Sequence, residues 1–161
     1  MGMITASLPS VMLGIARTAI DELAALAETK TPAGAGSSLR NKPTTQATIA
    51  QAEAAYRSGR ALLHESLRRI WEAMLAGQEI SWTDRSDLLL AATNAAISSA
   101  HATELMHRLA GTTGIYQSHR LERCFRDLQV ARQHRFYTEA RYETFGQMYF
   151  GMPPDYSLVL L

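Results

Sequence analysis

The richest run of chemically capable side chains lies between His119 and His134, where four arginines, two acids, a cysteine and two histidines fall within one stretch. Arg120, Arg123 and Arg126 recur every third residue, so on a helix they spiral around one side. Glu122 stands four residues before Arg126, the spacing of a helical ion pair. The plain reading is a solvated, salt-bridged face. His134 falls where this helix should end, and a protonated imidazole there gains from the helix dipole. The same group titrates near neutrality and can serve as acid, base or hydrogen-bond donor.

A second feature is the loop Gly111-Thr112-Thr113-Gly114. Its spacing reads as a helix C-cap followed by a turn. Its functional reading is a set of exposed backbone N–H groups, close to a helix start, contacting a phosphate. It lacks the strand that a dinucleotide-binding fingerprint requires, and no P-loop or nucleophile elbow occurs. Among five histidines, only His101 with Glu104 approaches the spacing of a bundle metal site. With no second such unit, no metal is expected. The single cysteine, Cys124, excludes an intrachain disulfide or a cysteine-based zinc site and fits a reducing, cytoplasmic location.

The elements that must position these groups read as helices throughout. The first is expected from about Pro9 to about Glu28, with Pro9 in its opening turn and Met12, Ile15, Ala16, Ala19, Leu23 and Leu26 at helical spacing. A loop from Thr31 to Pro43, rich in Pro, Gly and Ser, is longer than most bundle connections and ends in Arg40-Asn41-Lys42. The second helix is expected from about Thr44 to Ala76, capped by Thr44 or Thr45 and ended by Gly77. Its stripe runs Ile49, Ala52, Tyr56, Leu63, Leu67, Ile70, Met74 and includes Gly59, where a close helix would offset the cost of glycine. Ser81 and Asp84 form a capping-box variant opening a third helix, whose stripe Leu88, Ala92, Ala95, Ser99, Ala102, Met106, Leu109 is small enough for close packing. A fourth helix is expected from about His119 to Arg132 behind Ser118, with Leu121, Phe125, Leu128 and Ala131 inward. A last one is expected over about Thr138 to Phe150, followed by an apolar tail, Leu158 to Leu161, that docks on something. Together these predict an all-α, antiparallel (up-down) four-helix bundle with a short extra C-terminal helix.

With 161 residues the chain matches one domain able to bury its own core. Charged residues make up 19%, a low share, so part of the helical surface is expected to be covered by a partner subunit or another domain. A net charge of +1 argues against nucleic-acid binding. No apolar stretch is long enough to suggest a membrane span, and the N-terminus does not resemble a signal peptide.

The runs Leu121-Glu-Arg-Cys-Phe-Arg-Asp127 and Ala131-Arg-Gln-His134 resemble the C-terminal helical domain of the acyl-CoA dehydrogenase fold. More narrowly, they are similar to the branch holding two-component flavin-dependent monooxygenases. Ala110-Gly-Thr-Thr-Gly-Ile-Tyr-Gln-Ser118 fits the glycine loop before that helix, and Leu13-Gly-Ile-Ala-Arg-Thr-Ala-Ile-Asp-Glu22 looks like the domain's first helix. The resemblance covers nearly the whole chain.

It implies an N-terminal α-domain and a middle β-domain in complete members, both expected to be missing from these 161 residues. It also implies homo-oligomers, dimers or tetramers, formed through the bundle, with flavin (FMN or FAD) between subunits and a partner flavin reductase. A His at the position of His134 lies near the flavin in the monooxygenase branch and supports the oxygen intermediate. Glu139 and Glu143 do not match the catalytic Glu of acyl-CoA dehydrogenases, which favours the oxygenase branch. Arg40 resembles the Arg that contacts the flavin phosphate of a neighbouring subunit, and Gly111, Thr112, Thr113 and Gly114 correspond to a loop approaching the cofactor. Arg126 and Asp127 are expected to be structural ion-pair residues. The competing reading is an interaction module that kept the oligomer interface and lost the chemistry.

Overall fold

The computed structural model describes residues 2–156, and side chains from residue 5 onward. The described residues form five α-helices: α1 Gly2–Thr29, α2 Pro43–Leu75, α3 Trp82–Ala110, α4 Arg120–Ala131 and α5 Ala140–Tyr149. Two 3-10 turns, Leu39–Asn41 and Gly111–Ile115, punctuate the connections. Among the described residues there is no strand, as the uniform helical periodicity requires. None of the helices is long and apolar enough to cross a membrane. The tail expected to dock, Leu158 to Leu161, lies outside the described residues.

Cross-helix contacts give the directions. Gly59 meets Ala95 and Ser98, while Arg69, ten residues on, pairs with Asp84 and Asp87. The numbering therefore runs oppositely along α2 and α3. Glu22 of α1 pairs with Arg120 at the start of α4, and Thr5 meets Tyr137 just past its end, so these two also oppose. In α1 and α3 the order agrees. Met12 and Leu13 share one apolar cluster with Ala91 to Ala100, and Ala19 to Leu23 share the next with Ala102 and Met106.

The anticipated stripes form these clusters. Met12, Ala16, Ala19, Leu23, Ala52, Leu63, Ile70, Leu88, Ala92, Ala95, Ala102, Met106, Leu121 and Leu128 are all buried. The buried set of α3 is mainly Ala, Ser and Thr, so neighbouring helices approach closely. A Cβ on Gly59 would stand 3.2 Å from the Ala95 Cα and 3.2 Å from the Ser98 Cβ, which explains the glycine on the α2 stripe. Met74 departs from the pattern: it is exposed near the tip of the α2–α3 hairpin, beside exposed Trp71 and Leu75.

Several helix starts differ from expectation. Pro9 lies inside α1, which begins at Gly2. Proline cannot donate the i→i−4 bond to the Thr5 carbonyl. The buried Tyr137 hydroxyl donates to that carbonyl instead, at 3.0 Å, so tertiary structure supplies what the helix lacks. The N-cap of α2 is Lys42 rather than Thr44 or Thr45, because Pro43 with its fixed φ takes the first helical position. The N-cap of α4 is His119 rather than Ser118, with Nδ1 accepting the Leu121 N–H at 3.2 Å. At α3 the anticipated cap is present: Ser81 Oγ accepts the Asp84 N–H at 3.1 Å and donates back to its carboxylate at 2.5 Å. Gly77 (φ 68) and Gly111 (φ 54) end α2 and α3 in the left-handed region that glycine tolerates.

Candidate functional site

The residues singled out by sequence gather in two places, one at each end of the bundle. At the first end α1 stops, and Lys30 reaches across to α3. Its ammonium donates to the Ala110 carbonyl and to the Thr113 hydroxyl, at 2.5 and 2.6 Å. The Lys30 carbonyl accepts the Leu39 N–H at 2.9 Å, which ties the turn carrying Arg40 to the end of α1. Arg40 is exposed and pairs with Glu28, also exposed. A surface pair of this kind holds its partners weakly, so the guanidinium can exchange Glu28 for another anion.

The loop itself is a tight 3-10 turn. Gly114 is buried, and a Cβ there would lie 3.2 Å from both the His107 ring and the His107 carbonyl. His107 Nε2 contacts the Gly114 carbonyl at 3.2 Å, and its ring stacks on Phe125 with centroids 4.1 Å apart. Gly111 and Thr112 are exposed, and Thr113 is half-buried. Structure therefore divides the loop into a buried foot, Gly114, and a surface of Gly111 and Thr112 backed by Lys30. Lys30 carried no signal in the sequence beyond being one of two lysines; its role comes from a contact eighty residues away.

His134 lies at the other end. α4 has 12 residues, so its axis spans about 18 Å between the two regions. His134 is exposed in the turn after α4. Its Nδ1 accepts the Phe136 N–H at 3.4 Å, so Nε2 is the ring nitrogen left to face a ligand. The imidazole meets Phe136 edge-on, with centroids 4.7 Å apart, and leans on Tyr137 at 5.6 Å. Burial pushes the Tyr137 phenol up to about 12, aided by Tyr156, so it stays a neutral donor across the working pH range. Beside this turn is a cavity of about 540 Å³ lined by Ile97, His101, Glu104, Gln133, Tyr137 and Glu139, among others. His101 and Glu104 thus face a groove. Among the described residues no three His, Cys, Asp or Glu side chains gather as a metal site would need.

The arginine spiral on α4 has the plain role. Arg126 pairs with Glu122 at 3.2 Å, Arg123 with Asp127 at 3.5 Å, and Arg120 with Glu22 at 3.4 Å. Arg126 and Asp127 are both ion-paired, each to a different partner. Cys124 is buried, and burial pushes its thiol pKa up despite nearby Arg120, which makes it a poor nucleophile.

The family profile described as "Acyl-CoA dehydrogenase, C-terminal domain" matches residues 6–139. The chain belongs to this family. The same C-terminal-domain chain is 40% identical over 150 residues to an indole-3-acetate monooxygenase from Pseudomonas putida, a match covering 93% of this chain and 39% of that protein. A second indole-3-acetate monooxygenase, from Acinetobacter baumannii, is 34% identical over the same shares. The chain thus spans about two fifths of the length of these relatives. Among solved structures, XiaF from a Streptomyces species, in complex with FADH2 and glycerol, superposes with a TM-score of 0.91 at 16% identity, over 96% of this chain and 40% of that one. The HsaA monooxygenase from M. tuberculosis gives 0.84 at 22% identity, over 96% and 40%. At these identities the two structures establish the shared helical fold.

Proposed function

We propose that this chain is the C-terminal helical domain of a flavin-dependent monooxygenase, supplying an oligomer contact and part of the flavin and substrate pocket. The observation that carries the reading is the His134 turn. It places an exposed imidazole with Nδ1 engaged and Nε2 open, in a domain whose relatives at 40% and 34% identity are monooxygenases.

The residues present fit a flavin in charge and chemistry. A phosphate needs cationic forks and N–H or O–H donors; Arg40 follows the end of α1 with Glu28 as its displaceable counter-charge, and Lys30 with the Thr113 hydroxyl lies at the same end of α1. A flavin ring needs a polarisable edge with one hydrogen-bonding group, and His134 beside Phe136 and Tyr137 offers that. When bound, a reduced flavin supplies the electrons with which dioxygen gives one oxygen atom to substrate and one to water. His134 Nε2 would hold or deliver a proton at the reacting edge. Phe136 fixes the imidazole through its N–H and ring, and the neutral Tyr137 hydroxyl ties the turn to α1. The two ends lie about an α4 length apart, which favours a cofactor shared between copies of the chain.

A thermal melt tests this. Excess FAD should raise the midpoint, as any ligand selective for the folded state does. The gain should shrink in His134→Ala and in Arg40→Ala. FAD is the first flavin to try because XiaF holds FADH2, with FMN as the comparison. No shift with either flavin, in a chain forming clean dimers or tetramers, would move the assignment to an interaction module.

A further inference from the structure

Three candidates stand outside the regions already described. A groove of about 720 Å³ between α1 and α4, lined by Gly14, Thr18, Arg120 and Cys124, has its charges paired off and shows no sign of an occupant. The exposed Trp71, Leu75 and Trp82 at the hairpin tip have nothing to indicate what covers them. The third is a pair of arginines on an aromatic ring, and it carries an argument.

Arg141 lies at the start of α5 with its guanidinium carbon 3.9 Å from the centroid of the Tyr156 ring. Its Nε and Nη1 are buried and have no hydrogen-bond partner, and neither has the buried Tyr156 hydroxyl. Arg135 approaches the same ring at 5.8 Å and the Phe136 ring at 5.6 Å. Among the described residues none of the ion pairs includes Arg135 or Arg141. Asp155, adjacent to the ring in sequence, accepts the Thr144 hydroxyl at 2.7 Å instead. Two positive charges and three unused donors therefore meet on one aromatic platform. Cation–π contact attracts the charge but leaves guanidinium N–H groups unsatisfied. Unpaired buried donors are costly and call for a group that completes them, such as a water, an ion or a ligand's oxyanion.

We propose that Arg141, with Arg135 and the Tyr156 hydroxyl, receives the carboxylate of an organic acid whose apolar body lies along Phe136 toward His134. The chain of rings gives the direction: Tyr156 to Phe136 is 5.9 Å between centroids and Phe136 to His134 is 4.7 Å. An aromatic acid laid on these rings keeps its charge at the arginines and its ring near the imidazole. This assigns the substrate class of the proposed monooxygenase and rests on that reading for its purpose, while the binding itself requires only these residues.

The test uses the whole chain and follows the Arg Nε–H resonances by NMR during titration. Indole-3-acetate is the probe, indole-3-acetamide its uncharged counterpart, and inorganic phosphate the alternative oxyanion. Expected is a saturable shift of the Arg141 signal with the acid, at least tenfold weaker binding of the amide, and weaker binding still of phosphate. Arg141→Gln should lose the acid at least tenfold. Arg141→Lys keeps the charge without the fork, protects against misreading a folding defect, and should fall between the two. Equal binding of acid and amide, tighter binding of phosphate, or an Arg141→Gln chain that binds normally each overturns the assignment. Acid binding without any response to flavin would sink the flavin reading and leave this one standing.

Discussion

Two glycines in helices show how position decides a residue's worth. Gly59 is pressed against α3, where an added Cβ meets backbone at 3.2 Å, whereas Gly14 on α1 has nothing within 4 Å. Gly59→Val should therefore cost about 1–3 kcal/mol through overpacking, while Gly14→Ala should stabilise by up to about 1 kcal/mol through helix propensity. Urea unfolding followed by circular dichroism reads both, and a neutral Gly59→Val would show that α2 and α3 are not in close contact. Gly59 was legible because it broke an apolar stripe at a position that had to face inward. Lys30 was not legible, since a lone lysine at a helix end looks solvated until a distant carbonyl and hydroxyl are brought to it. Arg141 and Tyr156 were hidden for the same reason: their pairing is set by the chain folding back after α5, and no local spacing encodes it.

Among elements, the helices themselves were readable from periodicity, and their ends less so. The Ser81–Asp84 cap was plain, because its chemistry is local. Inside α1, Pro9 read as a start signal, because the compensating donor, Tyr137, lies 128 residues further on. Tyr137→Phe should thus loosen the amino-terminal end of α1 and cost about 1 kcal/mol, seen as faster amide exchange there. The start of α3 carries a pH dependence. The Ser81 hydroxyl first, opposed by burial and assisted by Arg69, lowers the Asp84 pKa below the ordinary carboxylate value. A lowered folded-state pKa means the unfolded chain binds the proton more readily. The stabilisation is then complete above the ordinary Asp range and disappears as pH falls through the lower folded value. Asp84→Asn should remove this component, so its stability relative to the parent is poorest near neutrality and the gap narrows below about pH 4. A gap that widens on acidification would contradict the assignment.

For the whole molecule, the decisive fact is that the two regions picked out by the resemblance are at opposite ends. Arg40 and the Gly111–Gly114 loop sit where α1 and α3 finish, and His134 sits where α4 finishes. The family membership was legible from residues 121–134, and this separation follows from the antiparallel order that the sequence predicts, in which α4 runs opposite to α3. A flavin served by both regions is most simply held between copies in a symmetric pair, where each contributes one end to either site. That arrangement makes a complementation prediction. Mixing Arg40→Ala chains with His134→Ala chains gives mixed pairs in which one site collects both defects and the other neither. Flavin stabilisation lost in each variant alone should then reappear in the mixture after exchange. Were each flavin held within a single chain, every site would retain one defect and mixing would recover nothing.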